Sequence, residues 1–304
     1  MTRTLLHPPA DAALATQVAA LLDADAGALD LHRFPDGESL VTLPPDLAGH
    51  DVVVLAGLRE PDALAMPLWF TAHTARELGA RSVRLIAPYL PYMRQDKRFA
   101  PGQAVTAPLF ARFVGAAFDG LVTVDPHLHR IPALDHVYRI PAAAVSAAPF
   151  VARWLARELP DAVLIGPDSE SAQWVGAIAR DAGLPFQVLA KTRRGDREVD
   201  VTLPDGAAIG TRTPVIVDDI VSSGHTLLET VGHLRRLGLP APVVVVIHAV
   251  FAGDAHARLR DAGVARIVST DTLPHATNAI SIAPALAAQA AAQIAASPTA
   301  EEVG

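Results

Sequence analysis

Cysteine is absent from all 304 residues, which removes disulfides, zinc–thiolate sites and thiol nucleophiles from consideration. Aromatic residues make up only 5% of the chain, so its cores must be packed chiefly with the Ala, Val, Leu and Ile that carry the hydrophobic share to 51%. Charge is sparse as well, at 19% of residues, with a formal net value of −7. An acidic balance argues against a protein whose main task is to grip nucleic acid, where a basic footprint is the rule. It leaves room for a phosphorylated small molecule, because a few local Lys and Arg suffice for that. No run reaches the roughly 18–20 apolar residues of a membrane span. The nearest, Ile282–Ala296, is interrupted by Pro284, Gln289 and Gln293. The stretch from Met1 to Pro9 lacks the apolar core of a secretory signal. A cytoplasmic protein, bound to neither membrane nor nucleic acid, is the expectation.

What the chain does have is alternation. Short apolar runs rich in β-branched residues occur at Asp51–Leu58, Ser82–Ala87, Leu121–Val124, Asp161–Ile165, Phe186–Ala190, Pro214–Val217, Pro242–Ile247 and Arg266–Ser269. Between them lie helical spacings such as Asp62–Leu78, Val105–Phe118, Ala148–Leu159 and Thr226–Leu237. Runs without polar alternation suit strands buried on both faces, as parallel sheets require. The order reads as a doubly wound α/β fold. The pattern runs twice, with acidic strand ends at Asp125 and at Asp218 and Asp219. The charge-poor segment Ile140–Pro149 reads as the joint, which gives two halves, residues 1–145 and 146–304, ending in a solvated tail from Ser297.

The sharpest chemical signal is VIVDDIVSSGHT at Val215–Thr226. A buried strand ends in Asp218 and Asp219, then a short loop of Ser222, Ser223 and Gly224 opens a helix at His225 and Thr226. Ligands of open α/β sheets bind at the carboxyl ends of strands. A helix start offers unpaired N–H groups and partial positive charge to a phosphate. Adjacent carboxylates can accept from a vicinal diol, so the segment fits a sugar phosphate. The same residues also fit two solvated acids beside an ordinary Ser cap. Elsewhere, Arg94, Lys97 and Arg98 bring three cations within five residues after a strand, which suits a polyphosphate or a solvated basic turn. RFPDGESLVTL at Arg33–Leu43 carries a Pro-Asp-Gly turn between two strands. AKTRRGDR at Ala190–Arg197 is either functional or a surface charge cluster.

Taken together, these segments resemble the phosphoribosyl pyrophosphate (PRPP) synthetase family, whose relatives are the type I phosphoribosyltransferases. The resemblance rests on the Asp-Asp loop, on YLPYMRQDK within Ala87–Ala107, on TVDPHLHR at Thr123–Arg130, on LIGPDSESAQW at Leu164–Trp174 and on TLPHATNAISIAPAL at Thr272–Leu286. It implies two type I phosphoribosyltransferase-like domains with mostly parallel central sheets. It implies Mg²⁺-dependent transfer of diphosphate from ATP to the C1 hydroxyl of ribose 5-phosphate. By the same resemblance, Phe34, Asp36, Glu38, Arg94, Gln95 and Asp96 line the ATP site, and His127 and Asp168 hold the metal. Lys191 and Arg193 carry the catalysis, while Asp218, Asp219 and the Ser222–Thr226 loop hold ribose 5-phosphate. The family's adenine site borrows the Phe34 segment from a neighbour, so a homo-oligomer is expected. The family pattern is broken at three places: Ser223 replaces Thr, His225 replaces a small residue, and the segment Ser169-Glu170-Ser171 replaces small residues after Asp168. A non-catalytic regulatory homologue and a PRPP-consuming transferase are the rival readings.

Overall fold

Each apolar run becomes a strand because it can be buried on both faces at once. The structure, a computed structural model, describes residues 2–189, 191–194, 198–201 and 206–296. These pack as two units. The first comprises residues 1–146, 272–274 and 282–304, and the second residues 147–271 and 275–281.

The first unit holds strands β1 (Arg3–His7), β2 (Asp25–Ala28), β5 (Asp51–Leu55), β6 (Ser82–Ala87), β7 (Gly120–Val124) and β8 (Ala142–Val145), with β3 (Asp30–Arg33) and β4 (Ser39–Thr42) forming a separate hairpin. Its helices are α1 (Ala12–Leu22), α2 (Pro61–Glu77) and α3 (Thr106–Ala117). The second unit begins with α4 (Ala148–Glu158), β9 (Ala162–Gly166), α5 (Ala172–Ala182) and β10 (Phe186–Val188). A ribbon of β11 (Lys191–Arg194) and β12 (Glu198–Val201) follows, then α6 (Gly206–Ile209) and β13 (Thr213–Ile220). It closes with α7 (His225–Arg236), β14 (Val243–His248), α8 (Ala255–Asp261), β15 (Arg266–Thr270) and β16 (Asn278–Ile280). The last helix, α9 (Ala283–Ala295), returns to the first unit.

Both sheets have six parallel strands in the same order: β2-β1-β5-β6-β7-β8 in one and β10-β9-β13-β14-β15-β16 in the other. In each, the second strand lies outside the first and the remainder run the opposite way, which makes one topological switch point per sheet. Right-handed crossovers then put α1 on one face and α2 with α3 on the other, and likewise α5 opposite α7 and α8. The observed packing of α2 on α3 and of α7 on α8 agrees. Strands β5, β6, β7, β9 and β14 are buried along their whole length, the core being Val, Leu, Ile and Ala as composition requires. Among the described residues no helix is long and apolar enough to cross a membrane.

Two details differ from the sequence reading. The segment read as a joint contains β8, the edge strand of the first sheet, and the first residues of α4. Residues 146–304 were also expected to stay together, whereas α9 packs on α1, β7 and β8. There it repeats the part that α4 plays against α5 and β16 in the second unit. Small side chains explain both differences. Alanine runs carry little periodic signal, and their partners are remote in sequence.

The amino ends of β5 and β6 are locked by a polar network. Asp51 is 1% exposed and accepts from Arg81 Nε at 3.0 Å and Ser82 Oγ at 2.6 Å. Ser82 Oγ in turn accepts from the buried Arg84 at 2.5 Å. Burial works against the Asp51 charge, but these donors and the Arg81 and Arg84 charges outweigh it and hold its pKa below the usual range. Asp51→Ala removes the acceptor of Arg81 and Ser82 and one of the two carboxylates whose charge reaches the buried Arg84, the other being Asp119. It should therefore lower the free energy of urea unfolding by about 3 kcal/mol while leaving substrate KM values unchanged, because the network lies at the sheet edge opposite the strands' carboxyl ends.

Candidate active site

In the second unit the switch point falls between β9 and β13, which pair directly, Ile165 opposite Ile216. Asp168 follows β9, while Asp218 and Asp219 lie at the end of β13, so all three acids stand at the carboxyl edge, where the charges of Asp219 and Asp168 act on Asp218. The loop after β9 is tightly wound. Asp168 Oδ1 accepts from Ser171 N at 3.1 Å, and Ser171 Oγ donates to Asp168 O at 2.6 Å. A Cβ on Gly166 would come within 2.4 Å of that Ser171 hydroxyl, so glycine is required there. Ser171 thus turns inward to close the loop on Asp168. The side chain of Glu170 lies outside the described residues.

The acids on β13 do not cap α7, which has no side-chain cap. Asp218 Oδ1 accepts from Asp219 N at 3.0 Å and Asp219 Oδ1 from Ile220 N at 2.7 Å. Gly224 takes φ +71°, the left-handed conformation that lets the chain turn into α7. Ser222 and Thr226 are half-buried and Ser223 is exposed. The side chain of His225 is 74% exposed and lies 3.6 Å from Glu229 one turn on. Its bulk therefore leaves the loop open. The loop is also braced from behind: Phe251 N donates to Val221 O at 2.8 Å and Ala252 N to Ser222 O at 3.0 Å. Phe251 holds φ +40°, a strained conformation for a bulky residue, with its ring against those of His256 and His275. Nothing in the sequence signalled that brace.

Burial pushes the Asp218 carboxyl well above its usual range, and the negative charges of Asp219 and Asp168 add to the effect, with the Asp219 N–H offsetting part of it. Lys191 and Arg193 lie two positions apart on β11, the strand that follows β10. Their side chains, and the whole of Ala190, Gly195, Asp196 and Arg197, are outside the described residues.

The first unit carries the remaining candidates. Phe34 tops the β3–β4 hairpin with 40% of its surface exposed and its ring 4.6 Å from that of His32. The Pro-Asp-Gly turn forms as expected: Phe34 N donates to Glu38 O, Gly37 adopts φ +93°, and Asp36 Oδ1 accepts from Glu38 N at 3.1 Å. Arg94, Gln95 and Asp96 follow β6, and His127 follows the adjacent β7, so both loops emerge at one carboxyl edge. Gln95 Oε1 accepts from Thr106 Oγ1 at 2.7 Å at the start of α3. His127 and His129 stack in parallel with ring centres 6.2 Å apart, beyond the end of the strand. Asp96 is held by Arg130, a residue that sequence reasoning did not single out.

The first unit's own switch point, between β1 and β5, is filled by protein. With Leu6 opposite Val54, the register places Ala56 and Gly57 where the second unit has Asp218 and Asp219. Asp11 Oδ2 accepts from Gly57 N at 3.0 Å, and a Cβ on Gly57 would meet Asp11 at 2.7 Å and Leu273 at 3.3 Å.

Two sheets of one topology, one of them bearing an acidic pair and a Ser-Ser-Gly loop at its switch point, define a protein built from phosphoribosyltransferase-type units. Residues 4–117 match the family described as the N-terminal domain of ribose phosphate pyrophosphokinase, and residues 136–288 match the phosphoribosyl transferase domain. A ribose-phosphate pyrophosphokinase of Methanopyrus kandleri is 36% identical over 90% of this chain and 94% of its own length. One from Halobacterium salinarum is 35% identical over 93% of this chain and 99% of its own. The crystal structure of phosphoribosylpyrophosphate synthetase from Mycobacterium smegmatis aligns with a TM-score of 0.82, covering 98% of this chain and 100% of that one at 26% identity. The chain belongs to the ribose-phosphate pyrophosphokinase family and is an enzyme of that family.

The raised pKa of Asp218 has a signed consequence. The folded state keeps this proton to higher pH than the unfolded chain, whose Asp titrates near about 3.9. Stability from this group is therefore complete below that value and lost as pH rises through the folded pKa. Asp218→Asn should raise the melting temperature of the ligand-free protein at neutral pH and flatten the decline in stability above about pH 4. Melting curves across pH check both.

Proposed function

We propose that this chain transfers the β,γ-diphosphate of ATP to the C1 hydroxyl of ribose 5-phosphate, forming 5-phosphoribosyl 1-diphosphate and AMP, and that its two units divide the work. The observation that carries the reading is the crowding of Asp168, Asp218 and Asp219 at a switch point whose phosphate loop is open. Asp218 and Asp219 accept from the ribose hydroxyls, while Ser222, Ser223, Thr226 and the start of α7 receive the 5-phosphate. The first unit binds ATP: Phe34 stacks on the base, Asp36 and Glu38 meet its polar edge, and Arg94 and Gln95 face the phosphates. An exposed phenylalanine on a projecting hairpin supports a site completed between copies of the chain, hence a homo-oligomer.

The C1 oxygen attacks the β-phosphorus, the bond from that phosphorus to the α,β-bridging oxygen breaks, and the hydroxyl proton passes to solvent. Such transfers need positioning and charge neutralisation more than covalent help. Lys191 and Arg193 neutralise charge growing on the β-phosphate and the leaving oxygen. No group of three metal-capable side chains occurs among the described residues, and none is needed for Mg²⁺, which is commonly held by one or two carboxylates together with substrate phosphates. His127 and Asp168 would hold it. When bound, Mg²⁺ supplies charge compensation to the phosphate oxygens. The outward His225 leaves the loop after β13 open, which weighs against a non-catalytic homologue.

Production of AMP from ATP, dependent on both ribose 5-phosphate and Mg²⁺, is the direct assay. Within it, Lys191→Ala should lower kcat by at least about a hundredfold with little change in KM for ribose 5-phosphate, the mark of a contact made in the transition state. Retention of a tenth or more of the activity, a barrier change within about 1.4 kcal/mol, would remove Lys191 from the chemistry.

Phe34→Ala separates stacking from packing. A base stacked on an aromatic ring is worth roughly 1–3 kcal/mol, so KM for ATP should rise about tenfold or more and that for ribose 5-phosphate should not. Sedimentation of the variant must show unchanged assembly. Equal weakening of both substrates would place the ring outside the adenine site.

A further inference from the structure

Asp96 stands between Gln95 and Lys97, in a loop where a polyphosphate calls for cations and not for another negative charge. Its side chain is turned inward, 2% exposed, and both of its oxygens accept from Arg130 Nη1, at 2.9 and 3.2 Å. Arg130 belongs to the neighbouring loop, three residues beyond His127, and its own side chain is 43% exposed. The two loops leave adjacent parallel strands, β6 and β7, whose ladder runs from Arg84 opposite Gly120 to Ala87 opposite Thr123. One further backbone bond, Val124 N to Pro88 O at 3.2 Å, follows the ladder, and the Asp96–Arg130 pair joins the two loops beyond it.

A carboxylate so enclosed, with both oxygens engaged, has no surface to offer a nucleotide. We propose that Asp96 is a positioning residue: by gripping Arg130 it ties the loop of Arg94 and Gln95 to the loop of His127, so that the phosphate-binding groups and the cation-binding imidazole are presented together. The inference rests on the reading that the Arg94 loop seats ATP. Its physical content is preorganisation. Loops that are already joined lose less conformational freedom when the ligand arrives, and small misplacements of charged groups are costly in phosphoryl transfer. One guanidinium nitrogen is shared between the two carboxylate oxygens, a charge-assisted contact that an ammonium can reproduce in part.

The test is steady-state kinetics for both substrates on Arg94→Ala, Asp96→Asn, Arg130→Gln, Arg130→Lys and the Asp96→Asn/Arg130→Gln double variant, each checked by thermal melting. Asp96→Asn and Arg130→Gln should each raise KM for ATP by about tenfold, with KM for ribose 5-phosphate within about twofold of the parent and kcat changed less than KM. The double variant should be no worse than the poorer single, because the pair acts as one unit. Arg130→Lys should recover part of the loss. Additive losses in the double variant mean that each residue touches ATP separately and overturn the proposal. Equal losses for both substrates mean a general structural defect and overturn it too. If Arg94→Ala leaves KM for ATP unchanged, the reading of the loop falls and the proposal falls with it. If Arg94→Ala weakens ATP while Asp96→Asn does not, only the clamp is wrong. Should Asp96→Asn fail to fold, Arg130→Gln decides the matter, because it removes the half-exposed cation and leaves Asp96 itself in place: an unchanged KM for ATP refutes the tie.

Discussion

Six parallel strands that reverse their spatial order once leave a crevice at the reversal, and what lines that crevice decides what each half of this chain can do. The loop after β9 departs to one side and the loop after β13 to the other. Backbone N–H groups and helix starts are thereby gathered at one edge without any side chain being specified. The second unit adds three carboxylates and a left-handed Gly224 to this frame. The first unit, with the same strand order, puts Ala56 and Gly57 in the matching places and closes the gap with Asp11 and Leu273. One fold has been fitted to two tasks by a handful of residues, and chemistry follows the site and not the architecture.

The carboxylate crowd is maintained against its own electrostatics. Burial and like charge push Asp218 toward its neutral form, a cost that no purely structural role would explain. The strained Phe251 is a second such cost. It keeps a bulky residue in the left-handed region so that two backbone hydrogen bonds can reach the loop at Val221 and Ser222. Both features sit beside the same Ser222–Gly224 loop, where a ligand-binding protein is expected to spend stability.

Much of the frame was legible in the sequence because it depends on local patterns. Continuous apolar runs such as Asp51–Leu58 and Pro242–Ile247 suit strands buried on both sides, and strands formed there at Asp51–Leu55 and Val243–His248, the first ending three residues early. The Asp-Asp loop and the Pro-Asp-Gly hairpin are equally local, since turn geometry is written in the turn residues themselves. The edge strand Ala142–Val145 escaped because alanine neither favours strands nor alternates. The Asp96–Arg130 pair and the seal of Asp11 on Gly57 escaped for a different reason. Each joins residues tens of positions apart, and only the register of neighbouring strands brings them together.

The path of α9 also sets an order of assembly. During synthesis the residues of the second unit, 147–271 and 275–281, are all made before α9 is finished, so that unit can close while the first still lacks the helix that covers α1, β7 and β8. The half that leaves the ribosome first is completed last. A chain cut short near residue 282 would thus injure the first unit at the far end of its sequence and leave the elements of the second unit whole.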